Sequence, residues 1–215
     1  MIWRHGRTSW NAEHRFQGQT DVDLDDVGVA QALRAASMLA SLGPSSIVAS
    51  DLRRTRATAE PLSEITGLDV RYDERLRETF AGEWEGLTRP EIIARYGDEL
   101  SRWSAGADVR PGGGETRLEV AERAVAAIKD ALAAVPADGV LVVVTHGGTS
   151  RAAIGALLEL PPQNWAAFGV VTNCSWSVLL ENDLPHGPPW RLQEYNAGSL
   201  PEAVPLDGVW PADDR

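Results

Sequence analysis

Residues 139–145 read GVLVVVT and run directly into His146, Gly147 and Gly148. A continuous β-branched run with no polar alternation is expected of a strand buried on both faces, the position of a central strand in a parallel sheet. Crossover helices must then cover both faces of that sheet. His146 stands at the carboxyl end of the strand, where open α/β sheets hold their ligands.

Working outward, the pattern alternates as such a sheet requires. Upstream, Thr116 and Glu119 stand at capping-box spacing and open a helix predicted to carry Leu118, Ala121, Val125, Ile128 and Leu132 on one stripe. Residues 28–42 carry helical periodicity through Leu33, Ala36 and Ala40 and stop at Gly43-Pro44; residues 47–49 read as a short buried strand. Residues 55–65 return to helix, ending at Thr66-Gly67, and 70–72 form another strand. Downstream, 150–160 is helical, and 175–181 and 190–195 are strands at an antiparallel edge. The fold class is α/β, a three-layer α/β/α sandwich with a mostly parallel central sheet and an antiparallel edge strand. The domain covers 1–196. Residues 82–111, interrupted by Gly86, Pro90, Gly97 and Gly106, read as an insertion or lid with only short helical pieces such as 91–95. Residues 112–114 read as a flexible entry to the Thr116 helix, and the Pro- and Asp-rich residues 197–215 as a loosely ordered tail.

Composition narrows the function. The chain has 215 residues, 43% of them hydrophobic, and 20 Lys plus Arg against 31 Asp plus Glu give a net charge of −11. That sign opposes counterion-release binding to nucleic acid and attraction to anionic membrane, so neither is an expected partner. The single cysteine, Cys174, and the lack of an apolar leader or a long apolar run predict a soluble, cytoplasmic protein. The exposed sheet edge and residues 164–176 are candidate surfaces for a homodimer.

An anion can still be drawn by a local basic pocket. His5 follows the short stretch Ile2-Trp3, Arg54 follows the strand at 47–49, and His146 follows the strand at 139–145. Two histidines, Arg4 and the cluster Arg53, Arg54 and Arg56 on one rim make a phosphate pocket inside an acidic protein. An imidazole is a competent nucleophile toward phosphorus near neutrality, which makes His5 the candidate nucleophile. Arg4, Arg54 and His146 can stabilise the charge on the transferring group, and Asn11 can add a hydrogen bond.

Arg4-His5-Gly6-Arg7-Thr8 with Asn11 resembles the RHGxTxxN signature of the histidine phosphatase superfamily, which includes the cofactor-dependent phosphoglycerate mutases. Phe16-Gln17-Gly18, Ser50-Asp51-Leu52-Arg53-Arg54, Arg77-Glu78, Gly113-Gly114-Glu115-Thr116 and Thr145-His146-Gly147-Gly148 follow in the order the family uses. Asn164-Trp165, Asn173-Cys174-Ser175-Trp176 and Trp190-Arg191-Leu192 are similar to the actinobacterial glucosyl-3-phosphoglycerate phosphatases. The resemblance implies a phosphoglycerate mutase-like fold, a small phosphomonoester substrate that is a phosphorylated glycerate or sugar derivative such as glucosyl-3-phosphoglycerate, no cofactor, and metal-independent catalysis through a phosphohistidine at His5. It also implies Glu78 as the acid that protonates the leaving group, and Thr8, Asn11, Gln17, Gly18 and Gly147 in substrate binding. Arg77 beside Glu78 need not disturb it, since neighbours in extended chain point oppositely. Arg7, where the family commonly carries Glu or Gln, can extend the phosphate pocket or take a substrate carboxylate.

Other readings are weaker. His146-Gly147-Gly148 resembles an esterase oxyanion motif, but the chain has no G-x-S-x-G. The histidines at 5, 14, 146 and 186 show no H-E-x-x-H and no paired cysteine spacing, so no metal is expected. Trp10 and Trp84 are expected to pack rather than line a cleft, and Arg53 to be exposed. A strand as short as Ile2-Trp3 is expected to hold His5 less firmly than a longer one. A mutase, or a noncatalytic phospho-ligand module of the same fold, are the alternatives. The short 82–111 segment argues against the mutase.

Overall fold

The computed structural model describes residues 1–182 and 187–198. In chain order it contains β1 (Ile2–Arg4), α1 (Ser9–Ala12), α2 (Asp26–Ala40), β2 (Ser46–Ala49), α3 (Arg53–Thr66), β3 (Val70–Tyr72), α4 (Arg89–Ser104), α5 (Arg117–Leu132), β4 (Leu141–Thr145), α6 (Gly147–Leu157), β5 (Trp176–Glu181) and β6 (Trp190–Ala197). The strands make one six-stranded sheet in the order β3-β2-β4-β1-β5-β6. β1, β2, β3 and β4 are parallel, whereas β5 runs antiparallel to β1 and β6 antiparallel to β5. Within the GVLVVVT run, Leu141–Thr145 form the predicted central strand and are buried throughout, while Gly139 and Val140 precede it and are half-buried. The tail expected from residue 197 lies outside the described residues beyond Gly198.

Alternation along the strands divides the core in two. Val142 and Val144 of β4 join Trp3, Ile47 and Ala49 against α2 and α3. Leu141 and Val143 join Ile2 and Val48 against α5 and α6 on the other face. This is the three-layer sandwich, with both sheet faces covered as an apolar parallel sheet requires. Among the described residues no helix is long and apolar enough to cross a membrane.

β1 is held better than its length suggests. The Met1 carbonyl accepts from Val143 N at 2.9 Å, Arg4 N donates to Ser175 O, and His5 N donates to Thr145 O, both at 3.0 Å. The ladder therefore continues past the strand to His5 itself, so the expected looseness is not found.

The helix faces depart from the predicted stripes. In α2 the buried residues are Gly28, Gln31, Ala32, Ala35, Ala36 and Leu39, while Leu33 is 52% exposed. In α5 they include Val120, Ala121, Ala124, Ala127, Ile128 and Ala131, and Leu118 is exposed. Alanines make up most of both inward faces, which lets the helices lie close on the sheet, while Leu33 and Leu118 turn outward. The 82–111 segment is also more regular than expected. Thr88 and Glu91 form a capping box, and α4 then runs through to Ser104 with a kink at Tyr96, beside Gly97. Trp84, Ile92 and Leu100 give it a small core of its own.

Residues 112–114 are a packed junction, correcting the flexible entry expected there. A Cβ on Gly114 would lie 1.8 Å from Phe80 O, and one on Gly112 2.3 Å from Ala81 O. Only glycine lets these two backbones approach so closely. The junction fixes the chain that carries Glu78.

Candidate active site

The neighbouring strands β2, β4 and β1 end in Ser50, His146 and His5 on one rim of the sheet. A cavity of about 350 Å³ opens there. Its floor includes Arg4, His5, Asn11, Gln17, Gly18, Arg54, Glu78 and Gly147; Trp10, Phe16, Trp103 and Trp165 supply much of its wall. Trp84, by contrast, is fully buried in the core beneath, so of the two tryptophans expected to pack, Trp10 lines the cleft instead.

His5 is 2% exposed, and its Nδ1 lies 2.7 Å from Gly6 O. A carbonyl only accepts, so Nδ1 carries the proton and Nε2 keeps its lone pair. Burial, with the Arg54 and Arg4 cations next in importance, pushes the imidazole well below its ordinary pKa, while the Gly6 hydrogen bond opposes this. Burial thus favours the neutral ring, with the Nε2 lone pair uncommitted.

Arg54, fully buried at the start of α3, is placed by three neighbours. Its Nη1 donates to Thr20 O at 2.8 Å, Nη2 to Gly18 O at 2.7 Å and Nε to His146 Nδ1 at 3.2 Å. These use three of its five N–H groups and leave two for an anion. Burial lowers its pKa to about 10, so it remains a cation. His146 accepts at Nδ1, which puts the proton on Nε2 and directs it to Ser50 Oγ at 2.9 Å. Both nitrogens are occupied, and the ring sits behind the cavity wall, 5.2 Å from that of His5 between centroids. In this arrangement His146 braces Arg54 from behind. Burial and the Arg54 charge hold its pKa well below the usual value.

Glu78 lies across the cavity at the N-terminus of α6. Its Oε1 accepts from Thr79 N at 2.8 Å, Thr149 N at 3.1 Å and Thr149 Oγ1 at 3.3 Å; its Oε2 accepts from Gly148 N alone, at 3.0 Å. Oε2 is therefore the less committed of the two oxygens. Arg77 points away and pairs with Asp51 (Nε to Oδ1 2.7 Å), as extended neighbours should.

With this geometry in place, the match to known families is decisive: the model for the histidine phosphatase superfamily (branch 1) covers residues 1–197. The chain belongs to the histidine phosphatase superfamily. It is 41% identical over 210 residues to a glucosyl-3-phosphoglycerate phosphatase of Mycobacterium tuberculosis, covering 93% of this chain and 94% of the relative. A probable phosphoglycerate mutase of Citrobacter koseri is 34% identical over 95% of both chains. Among solved structures, a mycobacterial glucosyl-3-phosphoglycerate phosphatase in complex with VO3 superposes with a TM-score of 0.85 at 42% identity, covering 92% of this chain and 98% of that one.

The other signature residues of the superfamily divide into lining and support. Asn11 accepts at Oδ1 from Thr8 N and Asn173 Nδ2, which leaves its own Nδ2 for the cavity. Thr8 does not reach the cavity. It caps α1, and its hydroxyl lies 3.0 Å from Gln17 Oε1 and 3.1 Å from Asn11 Oδ1, so it orients the two residues that do. Arg7 also turns away, donating to Asp25 Oδ2 at 2.8 Å, and serves neither the phosphate pocket nor a substrate carboxylate. Arg53 is exposed, as expected, beside Asp21 and Asp23.

Several residues of the superfamily fold matter here without having been predicted. Arg123 donates to Arg75 O and Arg77 O, each at 2.7 Å, to Glu78 O at 2.9 Å, and to Glu115, clamping the backbone on both sides of Glu78. Glu85 ties the 18–20 loop to the same segment by accepting from Gln19 N, Thr20 N, Thr20 Oγ1 and Ala81 N. Both look like ordinary solvated charges in the sequence. Among the described residues no cluster of His, Cys, Asp and Glu suits a metal ion.

Proposed function

We propose that this chain is a phosphomonoesterase that works through a phosphohistidine at His5, with glucosyl-3-phosphoglycerate as its substrate. The observation that carries the reading is the buried, neutral His5, whose Nε2 lone pair is set by the Gly6 carbonyl beside two buried arginines. Arg4 and Arg54 draw the phosphoryl oxygens and stabilise the charge that builds on them. Nε2 attacks phosphorus in line with the ester bond, an N–P bond forms, and the P–O bond to the leaving alkoxide breaks. Glu78, protonated at Oε2, delivers its proton to that alkoxide. The resulting carboxylate then takes a proton from water, whose oxygen attacks phosphorus and frees inorganic phosphate and His5.

Substrate identity is supported by the relatives named above and by the aromatic wall, since Trp10, Phe16 and Trp103 offer faces on which a sugar ring can lie. Segment 82–111, which contributes Trp103, is the cover of the cavity in this reading. The test is phosphate release from glucosyl-3-phosphoglycerate, 3-phosphoglycerate and an aryl phosphate in the presence of EDTA, for the unaltered chain and His5→Ala. Release that is fastest with the glucosylated ester and abolished by His5→Ala is expected. Conversion of 3-phosphoglycerate to its isomer without net phosphate release would establish the mutase instead.

A further inference from the structure

We infer that Arg117 and Arg151 form a second anion subsite in the same cavity, one that binds a carboxylate on the substrate. The inference rests on the phosphomonoesterase reading and specifies its substrate as a phosphate ester carrying a carboxylate. Both arginines line the cavity, and among the described residues neither is within ion-pair or hydrogen-bond distance of an acidic side chain. Other arginines near the site pair with carboxylates: Arg7 with Asp25, Arg15 with Glu13, Arg77 with Asp51 and Arg123 with Glu115.

Arg117 opens α5 and lays its guanidinium over the Trp103 ring, 4.5 Å from the centroid, which fixes its plane. Arg151 projects from α6 one turn after Gly147 and Gly148, so it shares their face of the helix. One helical turn advances about 5 Å. Four bonds separate the phosphorus of a 3-phosphoglyceryl group from its carboxyl carbon, and at backbone-like bond lengths an extended chain of that kind also spans about 5 Å. The two arginines press their charges together. Burial and the Arg151 cation lower Arg117 to about 10, with only the exposed Asp108 opposing. Such a pair is stabilised by a shared planar anion that accepts from both forks. Val120, Ala152 and Trp165 of one apolar cluster line the same cavity and limit hydration there. A carboxylate-binding role, one of the two offered for Arg7, thus falls to residues that no local motif marks.

The experiment is calorimetric binding to the His5→Ala chain, which holds ligands without turning them over. The probes are 3-phosphoglycerate and glycerol 3-phosphate, which differ in the carboxylate. Preference for 3-phosphoglycerate of tenfold or more is expected, and Arg117→Met or Arg151→Met should each reduce that preference about tenfold; Arg151→Lys should restore part of it. Equal weakening of both ligands by the methionine variants, or no preference to begin with, overturns the inference. The readout is independent of catalysis. If the unaltered chain hydrolyses no phosphomonoester while this preference is found, the phosphatase reading fails and the subsite stands.

Discussion

Glu78→Gln separates the two proton transfers assigned to that residue. In the structure Oε1 accepts three hydrogen bonds and Oε2 one, from Gly148 N. A glutamine keeps its carbonyl oxygen at the threefold position and turns its NH₂ toward Gly148 N–H, so a single hydrogen bond is lost. The cost to stability is then about 1–3 kcal/mol. The cost to catalysis is larger, because a general acid contributes about 100- to 10,000-fold, or roughly 2.7–5.5 kcal/mol of barrier. That loss should fall on a sugar or glycerate ester, whose alkoxide cannot leave unprotonated. An aryl phosphate needs no such proton, so it should still phosphorylate His5 quickly and then stall, because the carboxylate that activates water is gone. Stopped-flow absorbance should show a stoichiometric burst of nitrophenolate followed by slow turnover. Equal slowing of both ester types with no burst would refute the assignment.

Three further outcomes follow from the packing and the charges. Gly28→Ala places a methyl group 2.0 Å from Arg7 O and 2.7 Å from Arg7 N; the 5–8 loop must shift, at a cost of about 1–3 kcal/mol in thermal stability and a clear loss of kcat. Ser50→Ala leaves the His146 Nε2–H buried without its acceptor, costing about 1–3 kcal/mol in denaturant melts and lowering activity through the Arg54 it supports. His5 and His146 are neutral in the fold because their pKa values are depressed, so on acidification the unfolded chain takes up protons that the native chain refuses. Stability present above the unfolded value of about 6.5 is therefore lost as pH falls below it, with a slope of up to about 2.7 kcal/mol per pH unit for two such groups. Replacing both by asparagine should flatten urea midpoints measured across that range.

The sheet and the place of His5 on its rim were readable because each depends on a local pattern: an unbroken β-branched strand, a capping box at Thr116, and histidines placed where strands end. What stayed hidden depends on distance in the chain. Arg123 acts on Glu78 across 45 residues, and nothing around it distinguishes it from a solvated helix charge. Leu33 and Leu118 were expected inside on hydrophobicity alone, but the space beneath those helices admits alanine. The continuity of α4 was obscured by Gly97, which weighed more in the sequence than the Thr88 cap that drives the helix through it. His146 was legible as the residue that ends the central strand. Its role depends on which atoms face its two nitrogens, and no spacing rule contains that.

The most direct test of the account is to quench the reaction in base during turnover, digest the chain, and locate the phosphoryl group by mass spectrometry and phosphorus NMR. Because Nδ1 of His5 is committed to Gly6 O, phosphate is expected on His5 and on Nε2. Phosphate on Nδ1, on His146 or on any other side chain, or turnover with no phosphorylated residue, would contradict the mechanism.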